Sequence, residues 1–182
     1  MRAALIGLVG HARHGKNTVA KFIAGAARGK RTVEMAFADA VREECRDIYG
    51  WNGVKDEAGR TLLQEHGMKR RRLDPDYWLK KTFERLDECP ADIVVITDVR
   101  FRNEADEVVA RGGELWRVVR FDDNGDIFDG GMTPEQRGHP SETELDGYSC
   151  RVCITNTSLA SLRRGVRRAL RFSGVGKVGS CG

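Results

Sequence analysis

Apolar and polar positions along this chain fall into blocks of different period. Residues 3–9 form an almost unbroken apolar run, the mark of a strand buried on both faces. From Lys16 the apolar positions Val19, Phe22 and Ile23 return at helical spacing, and the segment stops among the glycines of 25–29. Residues 31–37 predict a second strand. Ala38-Asp39-Ala40 then turns into a helix with Val41, Cys45 and Ile48 along one side, closed by Tyr49-Gly50. The polar stretch 51–60, with Gly53 and Gly59, predicts a loop, and 61–66 a short helix. Asp74-Pro75 marks the start of a further helix whose apolar side is Tyr77, Trp78, Leu79, Phe83 and Leu86. Ile93-Val94-Val95-Ile96 predicts a central strand, 103–110 a helix stopped by Gly112-Gly113, and 114–121 another strand. Residues 122–147, rich in Gly, Asp, Pro and Glu, show little periodicity and predict a long loop of the kind that serves as a lid. A last strand is expected at 151–155. Leu159, Leu162, Val166, Ala169 and Leu170 make the final helix amphipathic, and 173–182 is expected to be a flexible tail.

Strands alternate with helices throughout, which predicts one α/β domain over 1–172 with a parallel sheet and helices on both of its faces. Ligands of such sheets bind at the carboxyl ends of the strands. The loop after the first strand, Asp39, Asp98, Arg100, Arg120 and Asn156 all fall at such ends, so residues distant in sequence are expected to converge.

The first of those ends carries the most specific chemistry. Gly10-His11-Ala12-Arg13-His14-Gly15-Lys16 matches the phosphate-binding pattern G-x-x-x-x-G-K, after an apolar strand and before a helix. Glycine at 10 and 15 lets the backbone approach a phosphate that a β-carbon would block. The loop amides and the helix N-terminus then face the anion. Lys16, on a solvent-facing loop, is expected to reach the β- and γ-phosphates of a bound nucleotide. The position after the lysine, where Ser or Thr usually helps hold Mg²⁺, is Asn17, a neutral amide; Thr18 follows and can bond a phosphate.

Composition narrows the class. The 182 residues are 40% hydrophobic and 32% charged, as in a water-soluble globular protein, and no apolar run approaches the ~20 residues that span a bilayer. The N-terminus runs straight into the first strand, which is not the form of a signal peptide, so a cytoplasmic location is expected. Five scattered cysteines point to free thiols in a reducing compartment, and the one C-x-x-C spacing, Cys150 to Cys153, has no second pair to complete a zinc site. A net charge of +4 suits an anionic ligand without requiring a nucleic acid.

Several further stretches, in order, carry a family likeness: Phe37-Ala38-Asp39-Ala40-Val41-Arg42, Leu62-Leu63-Gln64, Asp76-Tyr77-Trp78-Leu79-Lys80, and Asp98-Val99-Arg100-Phe101-Arg102-Asn103-Glu104-Ala105-Asp106. Gly112-Gly113, Trp116-Arg117-Val118-Val119-Arg120, His139-Pro140-Ser141-Glu142 and Ile154-Thr155-Asn156 follow. Together with the loop, where Asn17 replaces the family's aspartate, they cover most of 4–170. The chain resembles the phage and bacterial deoxynucleoside monophosphate kinases, relatives of adenylate kinase. That resemblance implies a three-layer P-loop kinase fold with about five parallel strands and a lid near 122–147. It implies ATP and Mg²⁺ as cofactors, a deoxynucleoside monophosphate as acceptor, and a possible homodimer.

Phosphoryl transfer is mostly positioning and charge neutralisation. A monophosphate acceptor is already anionic near neutral pH, because its second pKa is about 6, so no general base is nominated. Lys16, Arg100 and Arg120 are the expected catalytic cations. Gly10, Arg13, Gly15, Lys16, Asn17, Thr18 and Asn156 are expected to hold ATP, Asn156 by its resemblance to the adenine-contacting position of such kinases. Arg42, Arg72 and Arg100 are candidates for the acceptor phosphate, since guanidinium forks grip phosphate oxygens in pairs. Asp39 and Asp98 can hold hydrated Mg²⁺ or a sugar hydroxyl, with Asp98 the metal candidate; Asp39 can equally cap its helix. Gln64 can read the edge of the acceptor base, and Trp78 can either stack on that base or pack as a core aromatic. His139 and Glu142 belong to the lid without an assigned role, and His11 and His14 carry no assigned chemistry.

Three other readings compete. Another small-molecule kinase, such as one acting on dephospho-coenzyme A, shares the Thr155-Asn156 pattern. A guanine-nucleotide switch is disfavoured because Asn-Lys-x-Asp is missing. A nucleic-acid binder is suggested by Lys69 to Arg72 and by Arg163, Arg164, Arg167, Arg168 and Arg171. The last five fall on the polar side of an amphipathic helix, where a solvated face is expected.

Overall fold

The computed structural model describes residues 3–54 and 56–173. The tail expected at 173–182 lies outside them except for Ser173. The elements in chain order are β1 (Ala4–Val9), α1 (Lys16–Ala26), β2 (Thr32–Met35), α2 (Phe37–Tyr49), α3 (Glu57–Leu73), α4 (Tyr77–Asp87), β3 (Ile93–Ile96), α5 (Arg102–Ala110), β4 (Glu114–Arg120), α6 (Pro134–Arg137), α7 (Pro140–Thr143), β5 (Val152–Asn156) and α8 (Leu159–Phe172). They form two compact units, one of residues up to 34 with those from 90 onward, the other of 35–89.

The first unit is built on a five-stranded sheet in the order β2-β3-β1-β4-β5. β1 lies at its centre, parallel to β3 on one side and to β4 on the other, and β4 is parallel to β5. Because side chains alternate across a strand, the two faces are read from β1 alone. Ile6 and Leu8 point to a core shared with Val19, Ala20 and Ile23 of α1 and Leu162, Val166 and Ala169 of α8. Gly7 points the other way, where a β-carbon would meet Leu115, Val99 and Val108 within 2.8–3.3 Å. Helices therefore cover both faces, as the alternation of elements predicts. Leu159, expected on the apolar side of the last helix, is 69% exposed because it is the first helical residue and lies before the stripe that meets the sheet.

The second unit departs further from expectation. The expected loop over 51–60 gives way to helix at Glu57, and the expected short helix over 61–66 is part of a longer one, α3, that takes in the basic cluster 69–72. Asp56 caps it by accepting from the Gly59 amide at 2.8 Å. Gly59 had read as a loop residue, but it sits in the first turn, and a β-carbon there would lie 2.1 Å from the Val54 carbonyl. At the centre of this unit Glu44 is buried, and His66, Arg70, Tyr77 and Lys81 all reach its carboxylate. Burial alone would push its pKa up; the bonds from Lys81, Tyr77 and His66 outweigh burial and hold it at about 2. Glu44→Gln should therefore destabilise this unit by about 2–4 kcal/mol at neutral pH. Since the folded pKa lies below the unfolded one, the difference between the two proteins should shrink as pH falls from about 4.5 toward 2. Urea melts over that range check both points.

Candidate functional site

The site is built where β1 ends. Gly10 leaves the strand at φ 144° and Gly15 precedes α1 at φ 101°, both in the region that favours glycine. A β-carbon on Gly10 would lie 2.3 Å from the Val118 carbonyl, and one on Gly15 2.8 Å from Nδ2 of Asn156. These glycines are therefore required by the neighbouring strands β4 and β5 as well as by any phosphate. Arg13, at φ 61°, takes the left-handed conformation without being glycine, and its guanidinium donates to the Gly130 carbonyl at 2.9 Å.

Lys16 is not on a solvent-facing loop. It is the first residue of α1, it is buried, and its ammonium donates to the carbonyls of Gly10 and His11 at 2.5 and 2.8 Å. Burial lowers its pKa to about 8; Arg100 pushes the same way, and Glu142 and Asp98 partly offset them. Lys16, Asp98, Arg100 and Glu142 therefore act on one another electrostatically at the end of β1. Asn17 is exposed on the first turn of α1, whose cap is Gly15 with no side-chain bond, so Asn17 does not serve as the helix cap.

Beside the loop lies a cavity of about 440 Å³, lined among others by Arg13, Gly15, Thr18, Arg120, Phe128 and Asn156. Its size suits a nucleoside. Asn156 is the last residue of β5 and donates to the His14 carbonyl at 2.9 Å, fixing the loop from the cavity side. Arg120 lies over the Phe128 ring at 4.2 Å, a cation–π contact between two residues of the cavity wall.

The arrangement is a glycine-framed loop at the carboxyl end of the central strand of a parallel sheet. The chain shares its fold with a gluconokinase from Sinorhizobium meliloti 1021 at 18% identity and a TM-score of 0.50, over 94% of this chain and 96% of that one. It also resembles TT1252 from Thermus thermophilus at 13% identity and a TM-score of 0.56, over 99% and 100%. No protein-family model matches the sequence, and no curated protein does.

The segment 122–147 lies on the loop and supplies what sequence reasoning missed. Glu142, in α7, accepts from the Ala12 amide at 2.8 Å and pairs with the Arg100 guanidinium, which also donates to the Ser141 carbonyl at 3.0 Å. Its side chain is only 8% exposed. Burial would raise its pKa, but Arg100, through its charge and its hydrogen bond, the Ala12 amide and Lys16 together hold it below the usual carboxylate range. His11 bonds Asp146 at 2.7 Å. His14 is buried and its Nε2 lies 2.8 Å from the Phe128 carbonyl, while Nδ1 lies 3.4 Å from the Arg120 amide. Nδ1 also lies 3.2 Å from the Val118 carbonyl, and burial lowers the His14 pKa. Thus both loop histidines, given no chemistry above, tie the loop to 122–147. The one trace of this in the sequence was the His139-Pro140-Ser141-Glu142 stretch: Pro140 starts α7, and the His139 ring caps it by accepting from the Ser141 amide.

Apart from Asp98 and Arg100, the expected acceptor residues belong to the second unit. Trp78 is 1% exposed and its indole donates to the Gly67 carbonyl at 3.0 Å. It is a core aromatic, held by burial and a satisfied N–H, and does not offer a face to a base. Asp39 does not end a strand; it lies in the first turn of α2, where it accepts from the Ala36 amide at 3.0 Å and pairs with Arg42. The capping role the sequence allows is thus present, with the i,i+3 pair to Arg42 beside it. Arg72 and Gln64 are exposed on α3.

Proposed function

We propose that this protein transfers the γ-phosphoryl group of ATP to a deoxynucleoside monophosphate. The observation that carries the donor half is Lys16, buried at the foot of a glycine-framed loop and flanked by Arg100 and Asp98. The neighbouring cavity would take the nucleoside of ATP, with Asn156 and Arg120 at its wall. The acceptor half rests on the resemblance to deoxynucleoside monophosphate kinases and on one physical feature. Glu142 is held as a weak base by its cationic neighbours, as suits an acceptor that is already anionic and needs no deprotonation.

Mg²⁺ fits this donor set in a limited way. Among the described residues no group of three or more His, Cys, Asp or Glu is placed to hold a metal. Mg²⁺ commonly keeps its waters and takes one or two carboxylates plus substrate phosphates, so Asp98 would be the protein's contribution. It would neutralise charge on the phosphates there, while Lys16 and Arg100 position and neutralise the transferring group. Asn17→Asp should lower the Mg²⁺ concentration needed for half-maximal rate, because it adds a carboxylate on the exposed first turn of α1. Asn17→Ala should leave it unchanged. A Mg²⁺ titration of the three proteins checks this.

The segment 122–147 would act as the lid, closing on the phosphates and excluding water. Among the described residues no helix is long and apolar enough to cross a membrane. An ADP-release assay with ATP and each common dNMP and NMP tests the proposal. Turnover with one or more dNMPs supports it. Turnover confined to a hydroxyl acceptor such as dephospho-coenzyme A, or ADP release indifferent to any acceptor, overturns it.

A further inference from the structure

The sequence alone favours a merely solvated face for the arginines of the last helix. Their placement argues otherwise. α8 carries Arg163, Arg164, Arg167, Arg168 and Arg171 and no acidic residue, and all five are exposed. A solvated helix face usually mixes signs, because like charges four apart repel; here 163 and 167, 167 and 171, and 164 and 168 are such pairs. The rest of the fold adds to the charge. On the α1 side a groove of about 420 Å³ is lined by Arg163, Arg167 and Arg171 together with Lys21, Arg28 and Phe22. On the β5 side a second groove, of about 530 Å³, takes Arg164, Arg168 and Arg151. Neither groove has an acidic residue in its wall. A chain of net charge +4 thus gathers eight cations along the two sides of α8, none of them ion-paired among the described residues.

We propose that this surface binds the phosphodiester backbone of a nucleic-acid strand, independently of its base sequence. Two features choose that partner. Residues 163 to 171 span about 12 Å of helix axis, so a compact anion could meet only one turn, whereas a polymer of regularly spaced charges can meet all of them. The apolar side of α8 is spent on the sheet core through Leu162, Val166 and Ala169, so the helix cannot lay an apolar face into a lipid surface as membrane-binding amphipathic helices do. The contact is with backbone charge, because arginine rows without a groove-entering element neutralise phosphates but do not read base edges.

Fluorescence anisotropy of a labelled DNA single strand and the matching duplex, across a salt series, tests this. Binding should weaken roughly 100-fold between 50 and 200 mM salt, as neutralisation of about four to five phosphates implies. The triple substitution Arg163→Ala, Arg167→Ala, Arg171→Ala should lose most of the affinity and flatten the salt slope, while ATP binding and thermal melting are retained. Lysine at the same three positions should keep most of the affinity, which separates loss of charge from loss of fold. Absence of binding at low salt, an alanine variant that binds like the parent, or preference for phosphatidylserine-containing vesicles over both DNAs would overturn the proposal.

Discussion

Lys16→Ala should reduce kcat at least 10²–10³-fold, the scale of removing one preorganised charge-stabilising donor from an active site. The fold should survive. The substitution leaves the carbonyls of Gly10 and His11 without their donor, which costs about 1–3 kcal/mol, but it also removes a cation whose burial is unfavourable, as its lowered pKa shows. Assays well below the melting temperature of the variant separate lost chemistry from lost structure. The same lysine sets an alkaline limit in the parent protein. The free enzyme loses the Lys16 proton near pH 8, so kcat/KM for ATP should fall above that pH. A bound triphosphate favours the charged form, so kcat should hold to higher pH. Between about 8 and 10.5 the unfolded chain binds the extra proton, so this residue's contribution to stability rises with pH in that window. The alanine variant should lack both the limb and the rise; a variant with near-parental activity would remove Lys16 from the donor site.

What the sequence revealed, and what it hid, divides along a physical line. Ile93–Ile96 and the run before Gly10 were legible as strands because a strand covered on both faces must be apolar throughout, whatever its neighbours. The loop between β1 and α1 was legible because two glycines at fixed spacing answer a local geometric demand. The full length of α3 was not, because Gly59 and the surrounding polar residues outweigh a cap from Asp56 in any local reading, and the packing of His66 and Gly67 against Trp78 of α4 decides for the longer helix. Trp78 was ambiguous for the same reason: its burial and its bond to Gly67, eleven residues earlier, are tertiary facts. Glu142 was the largest omission. A glutamate in a long polar segment looks solvated, and what makes it special is a loop amide 130 residues away.

That glutamate supports the second large effect. Glu142 lays a carboxylate on the Ala12 amide, against the Arg100 guanidinium and within the field of Lys16, the groups expected to meet the transferring phosphoryl. Two anions cannot share those cations at full strength, so Glu142 must yield part of its grip when a triphosphate enters. Glu142→Gln keeps an oxygen for the Ala12 amide but removes the competing charge. Binding of a non-hydrolysable ATP analogue should therefore tighten about 5-fold, the equivalent of roughly 1 kcal/mol. Folding stability at neutral pH should drop by about 1–3 kcal/mol, because Arg100 loses its buried charged acceptor. The folded pKa of Glu142 lies below its unfolded value, so this stability is present above about 4.5 and is lost as pH falls through the folded pKa. The two proteins should accordingly converge in acid. Glu142 also raises the Lys16 pKa, so its loss should move the alkaline limb of kcat/KM to lower pH. Calorimetric titration with the analogue, and melts at neutral and acid pH, check these points. Weaker analogue binding in the glutamine variant would show instead that Glu142 supports the bound nucleotide, and the competition argument would fall.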